Sequence, residues 1–401
     1  MPRFWRFAIV FLLALGAMVP QVSGDPSVLA QDGPVLLVND AATANPALTP
    51  VQLGDPGGLG IPAQTVLLPD GYGIAAIAAG IGGPRFLDFD DSGNLLAAAM
   101  VDGAIYRFPY REGVLGERET LLSGLQRPAD VTYFAADDGN YLYVSEEQQV
   151  TRYPYDPEGS LGEPQPVVVD LPTGGHFTRT VEFGPDGMLY LAVGSSCNIC
   201  IEESAIRATI SRANPDGSGL EILATGLRNA VGLDFQPDTG QLWATVNERD
   251  NQGNEVPPDL VTIVAPGANY GWPSCVPPDA TPQEAGANCD GITAPTIGIQ
   301  AHSAPLGMTF VDGENAPAEL SGDLLVAQHG SWNREPPAAP KLLLIDFEDG
   351  LPVAARDFAA GWQDEFGNRW GRPVDVVIAP DGSLIVSDDD NGMLYRISAN
   401  Q

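Results

Sequence analysis

Lysine is almost missing from this sequence. One residue, Lys341, stands among 401, and with eighteen arginines it faces 52 acidic side chains, for a formal net charge of −33 at pH 7. A chain this negative repels phosphate backbones and anionic headgroups, which argues against nucleic acid or an acidic membrane surface as partner. Histidine is scarce too, at three residues, so chemistry that needs an imidazole near neutral pH has few places to sit. Cysteine is limited to four. No second Cys-x-x-Cys completes a zinc site with Cys197 and Cys200, and Ile201 rather than His follows Cys200, which excludes c-type haem attachment. After the N-terminus no apolar run is long enough to cross a bilayer, and helical periodicity is lacking between the apolar segments.

What is present begins with an export signal. Arg3 and Arg6 precede an apolar run from Ala8 to Val19, and small residues at Ser23-Gly24 or Val28-Leu29-Ala30 offer cleavage sites, so 1–24 reads as a signal peptide, with an uncleaved anchor as the alternative. The expectation is a secreted or extracytoplasmic protein. Export permits disulfides. Four cysteines allow three connectivities, of which closure of the near pairs Cys197 with Cys200 and Cys275 with Cys289 is the simplest; a redox-active or metal-holding Cys-x-x-Cys stays open. Residues 25–68, rich in Pro, Ala and Gly, read as a linker or loosely attached arm, and 69–401 as the folded domain.

Within that domain one unit recurs six times: an apolar strand, an Asp-Gly turn cluster and a second short apolar strand. The turn clusters are Asp91-Ser92-Gly93, Asp137-Asp138-Gly139, Pro185-Asp186-Gly187, Pro237 to Gly240, Asp312-Gly313 and Pro380-Asp381-Gly382. Such clusters supply the positive φ of tight hairpins. Six all-β units with strands and no helices between them predict a six-bladed β-propeller. The last unit stops after three strands, and Gly73 to Ala79 form a spare strand before the first, so that strand is expected to close the ring.

In a propeller the loops leading into the innermost strands gather on one face beside the central channel. Here they carry Arg85, Arg127, His176 with Arg179, Arg228 with Asn229, and Arg372. Convergent guanidinium groups in so acidic a chain suggest a planar polyanionic ligand held by bidentate forks, although any one arginine can simply pair with an acidic neighbour. His176 follows two glycines and suits a general base. His302 and His329 belong to the fifth unit and either could face the same pocket. Asn247 to Asp259 is oxygen-rich, and reads equally as a calcium loop or a solvated acidic loop.

Taken in order, the motifs GGH-x-x-R (174–179), GSSCN-x-C (194–200), GLRN (226–229), NERD (247–250), NYGWP (269–273), HSAPLG (302–307), HGSWNR (329–334) and WGRP (370–373) resemble the glucose/sorbosone dehydrogenase family, closest to the sorbosone branch, over about residues 70 to 398. That resemblance implies a pyrroloquinoline-quinone (PQQ) and calcium enzyme, oxidising an aldose or sugar aldehyde and passing electrons to an external acceptor. It implies His176 as general base, and Arg228 and Asn229 as the pair that polarises the quinone oxygens. It places PQQ among Arg85, Arg127, Arg179, Arg228, Asn229, His329, Trp332, Arg334 and Arg372, and calcium at Arg249 and Asp250. The chain departs from the family where the soluble glucose dehydrogenases carry a cofactor-binding lysine, with His329 or Arg334 as substitutes, and where a blade-one polar residue gives way to Ala97-Ala98-Ala99-Met100. A calcium-dependent lactonase-like hydrolase and a non-catalytic ligand-binding propeller are the alternatives, since a fold does not fix a function.

Overall fold

The computed structural model describes residues 36–37 and 48–399. The export signal expected at 1–24 lies outside them, as does the expected arm from 25 to 47 apart from residues 36–37. Six sheets, antiparallel except where Leu36–Leu37 lies parallel to Ile297–Ile299 at the edge of the fourth, follow one another along the chain as the blades of a propeller. Their innermost strands are Pro84–Phe89, Asp130–Ala136, Arg179–Phe183, Ala230–Phe235, Pro305–Phe310 and Pro373–Ile378. The Asp-Gly clusters make the hairpins that leave them. Gly187, at φ 72°, turns the chain so that Phe183 pairs with Leu189, a conformation a side chain would strain.

The spare strand does close the ring. Tyr72–Ala78 lies antiparallel to Met393–Ala399 with Ile74 opposite Ile397, so the sixth blade joins both ends of the domain. Its residues alternate buried and half-buried, as the period of two requires when only one face meets the core. Where a loose arm was expected, Thr65–Leu68 and Thr49–Gln52 instead extend the fifth blade to six strands, with Leu67 opposite Ala360. Val66 and Leu68 are fully buried there, and that burial fastens a segment whose composition reads as linker.

The core lies between blades. Trp362 is completely buried between the fifth and sixth, stacked on Trp370 at 5.9 Å and beside Tyr395 and Phe358. Removing an indole of that size from water stabilises the fold by roughly 4–6 kcal/mol before entropy is counted.

Polar ties join the inner strands as well. Asp88 accepts the Tyr133 N–H at 2.6 Å, Asp130 that of Val181 at 2.7 Å, Asp234 that of Phe310 at 2.6 Å, and Asp375 that of Leu87 at 2.8 Å. Each carboxyl reaches from one blade to the next. With Glu182 they surround a cavity of about 380 Å³ at the hairpin end of the channel. Burial pushes Asp88, Asp130 and Asp234 up to about 7, and Glu182 and Asp375 well above the usual carboxylate range.

Both near-pair disulfides are formed, Cys197–Cys200 and Cys275–Cys289. Among the described residues no helix is long and apolar enough to cross a membrane.

Candidate active site

At the other end of the channel a cavity of about 450 Å³ opens among the loops that lead into the inner strands. It gathers Arg85, His176, Arg228, Asn229, Asp250, His302, His329, Trp332 and Arg372 from the sequence reading.

His176 is placed by the loop that leaves the neighbouring strand, Leu189–Val193. Its N–H donates to the Ser195 carbonyl at 2.9 Å, and its Nδ1 lies 3.0 Å from both that carbonyl and Ser195 Oγ. A carbonyl can only accept, and Ser195 Oγ already donates to the Cys197 carbonyl, so Nδ1 carries the proton. Nε2, with no hydrogen-bond partner among the described residues, keeps its lone pair on a ring that lines the cavity. Burial, followed by the positive charge of Arg228, lowers the imidazole to about 4, so it is neutral at physiological pH. Gly175 serves a different purpose from the one its sequence suggests. A Cβ there would lie 2.5 Å from the Ser196 backbone, so the glycine admits the neighbouring loop rather than a ligand.

Arg228 is almost fully buried, and all five of its N–H groups are taken. Nε donates to Asn198 O, Nη1 to the carbonyls of Asn247 and Glu248, and Nη2 to Asn198 Oδ1 and Asp250 Oδ2. It therefore acts on the cavity through its charge rather than by offering a free donor. The adjacent Asn229 is the opposite case. Its Oδ1 is buried with no partner, on the cavity wall, where a ligand donor would satisfy it.

Three blades meet at Asp389. It pairs with Arg85 Nη1 at 2.9 Å and with His329 Nε2 at 2.7 Å. Burial alone would raise this carboxyl, but His329 and Arg85 outweigh it and hold Asp389 well below the usual range. The charge is thus fixed between two partners. Arg372 spends Nε and Nη2 on the carbonyls of His329 and Gly330, and its Nη1 has no partner among the described residues. Arg85 Nε is likewise buried and unpartnered. Trp332 stands at the rim with 74% of its surface exposed.

Four residues of the sequence reading stand away from the wall. Arg179 is completely buried and donates to the carbonyls of Pro172, His176 and Thr178, so it braces the histidine loop from behind. Arg127 stacks on the Phe177 ring at 3.6 Å and pairs with Glu147. Arg334 binds Asn254 O, Pro336 O and Glu255. Arg249 points its guanidinium into the core against Glu248 and the Cys275 carbonyl. In each the side chain finds backbone carbonyls or a carboxylate nearer than the channel. Lys341 pairs with Asp357 on the outer part of blade five and is likewise not on the wall, whereas His329 is.

Sequence reasoning gave no role to Asp389 or Asn333, both on the wall, where Asp259, the end of the oxygen-rich segment, also stands. Asp389 belongs to the run Ser387-Asp388-Asp389-Asp390, which leaves a strand rather than leading into one, and its signal was a triple acid at the end of a buried strand. Asp259 accepts the Glu248 and Ala304 N–H groups, and burial pushes it and Glu248 up to about 7.

The family described as TrAA12-like matches this chain over residues 66–284 and 267–400. A pyrroloquinoline quinone-dependent pyranose dehydrogenase of Coprinopsis cinerea is 25% identical over 409 aligned residues, covering 84% of this chain and 55% of the fungal protein. This chain thus spans little more than half of that relative. The holo structure of the PQQ domain of a Coprinopsis cinerea pyranose dehydrogenase superposes with a TM-score of 0.75 at 23% identity, over 86% of this chain and all of that one. A calcium structure of a Trichoderma reesei carbohydrate-active enzyme of family AA12 gives 0.72 at 20% identity, over 90% of this chain and all of that one.

Proposed function

This chain belongs to the TrAA12-like family, and on that premise we propose that it is a PQQ- and calcium-dependent dehydrogenase of aldoses or sugar aldehydes, exported from the cytoplasm and passing electrons to an external acceptor. The observation that carries the proposal is the state of His176: a neutral imidazole, its proton fixed on Nδ1 by Ser195, with Nε2 unpartnered in a cavity walled by arginines. Such a group is suited to accept a proton.

The residues present fit the cofactor. PQQ is a planar tricarboxylate, and the wall offers the spare donors of Arg372 and Arg85 for its anionic edge and Asn229 Oδ1 for a donor. Trp332 at the rim stands where a flat ring system or a sugar face would lie. When bound, the quinone supplies the hydride acceptor, and calcium the Lewis acid that polarises it. The protein's part is to hold the substrate hydroxyl at His176 Nε2, remove its proton there, and keep the imidazole neutral beforehand. Calcium is proposed at the wall bearing Asp250 and Asp259, whose oxygens suit a hard cation; Arg249 has only its backbone carbonyl to offer. The carbonyls of Asn247 and Glu248 each accept one bond from Arg228 and keep a second lone pair, so they would be available to hold the ion as well. Within this class we propose a sorbosone-type sugar aldehyde as substrate, on the sequence resemblance alone.

The test is reconstitution of the purified protein with PQQ and excess calcium, followed by the quinone absorbance and by dye reduction across a panel of aldoses and aldehydes. Stoichiometric cofactor binding and sugar-dependent reduction, lost in His176→Ala with the cofactor retained, is the expected result. Binding of PQQ without turnover on any sugar would leave a ligand-binding propeller, and failure to bind PQQ would overturn the reading.

A further inference from the structure

The loop between the two cysteines of the first disulfide does more than close on itself. Asn198 lies inside it, and its side-chain amide spans the backbone of Asp250: Oδ1 accepts the Asp250 N–H at 2.8 Å and Nδ2 donates to the Asp250 carbonyl at 2.9 Å. The same Oδ1 accepts Arg228 Nη2 at 3.0 Å, and the Asn198 carbonyl accepts Arg228 Nε at 3.1 Å and the Trp272 indole N–H at 3.0 Å. One residue thus supplies two of the five acceptors that saturate Arg228 and grips both polar groups of the neighbouring loop residue. The Cys197–Cys200 bond ties the backbone on either side of it.

We propose that Asn198, held in place by the Cys197–Cys200 disulfide, is the positioning residue that locks the Arg228 guanidinium and the Asp250 loop against the cavity beside His176. Its importance for catalysis rests on the dehydrogenase reading; its physical effect does not. A guanidinium with every donor satisfied cannot swing toward solvent, so its charge stays near the imidazole and keeps protons off it. Arg207 and Arg179 act on His176 in the same direction but are held by other carbonyls, so they remain when Asn198 is changed. Ser195 fixes the tautomer and is untouched as well.

The experiment follows the ring proton resonances of the three histidines by NMR in the protein without added cofactor, from pH 8 down to 4.5, with His176 assigned by its absence in His176→Gln. In the parent protein His176 should stay neutral over nearly all of that range. In Asn198→Ala, and in the Cys197→Ser/Cys200→Ser double variant, it should begin to titrate about one pH unit higher, a roughly tenfold gain in proton affinity. Asn333→Ala removes a different partner of Asp250 without touching Arg228, and should leave the His176 titration where it was. If Asn198→Ala does not fold, Trp272→Phe removes the indole bond to the Asn198 carbonyl, along with part of a buried ring, and should shift His176 in the same direction by less. Folded Asn198→Ala and double variants with an unaltered His176 titration would overturn the proposal, as would an equal shift in Asn333→Ala. None of these readouts needs PQQ or turnover, so failure of the dehydrogenase reading and failure of this one are distinguishable.

Discussion

The acidic channel behind the active cavity makes a prediction that runs against habit: this protein should become more stable on mild acidification. Asp88, Asp130 and Asp234 titrate at about 7 in the fold because burial penalises their charged forms, against an ordinary value of 3.8. A carboxyl raised in this way contributes stability that is complete below its unfolded pKa and is lost as pH rises through its folded one. Between those values the native state binds one more proton at each group, a slope of about 1.4 kcal/mol per pH unit, or about 2.5 kcal/mol per group between pH 8 and 5. His176 opposes this. It is lowered from 6.5 to about 4, so acidification to pH 5 costs about 2 kcal/mol as the unfolded imidazole charges first. His329 is lowered as well and acts in the same sense. Glu182, Asp375, Asp259 and Glu248 are raised too and act with the first three carboxyls, but because these groups repel one another and several line cavities, their gains do not add, and a net gain of about 3 kcal/mol from pH 8 to 5 is the expectation. Urea unfolding at pH 5, 6, 7 and 8 measures it, with Asp88→Asn reducing the difference by about 2 kcal/mol. Stability that is flat or rises toward pH 8, or an Asp88→Asn protein with the parent's slope, would refute the reasoning.

Other perturbations are as specific. Asp389→Asn removes the charge shared by Arg85 and His329, and should cost about 3–5 kcal/mol in urea unfolding because it leaves a buried guanidinium unpaired. Replacing Cys275 and Cys289 with Ser opens a loop with a sequence separation of 14 and should cost about 3 kcal/mol, read as the difference between oxidised parent and double variant. Gly382→Ala places a Cβ 1.7 Å from the Asn315 carbonyl at φ 80°, so a fall in melting temperature of several degrees is expected by calorimetry.

The blades were legible because their turns are spelled in Asp and Gly and their strands in alternating apolar residues, both local signals. Closure was legible for a simpler reason: three strands at one end and a spare at the other. Thr49–Leu68 was not, since pairing with the outer edge of a distant blade leaves no mark in local composition. In the site, the sequence identified loops better than side chains. Arg85, Arg228 and Arg372 reach the cavity, while Arg179 and Arg334, also basic residues of site-facing loops, turn back to carbonyls that folding brings near them. A position in a loop fixes which face a residue starts from, and only three-dimensional neighbours decide where its charge ends. Asp389 shows the reverse, a wall residue supplied by the strand's far end.

The closing strand sets an order on the protein's assembly. Tyr72–Ala78 is synthesised before any of the six inner strands, yet its hydrogen-bonding partner, Met393–Ala399, follows all of them. Until Met393–Ala399 emerges, one blade lacks its edge and the circle of inter-blade contacts stays open. A chain cut short before Met393–Ala399 is left with an unpaired β-edge at each side of the gap, which is the surface that aggregation and proteolysis recognise.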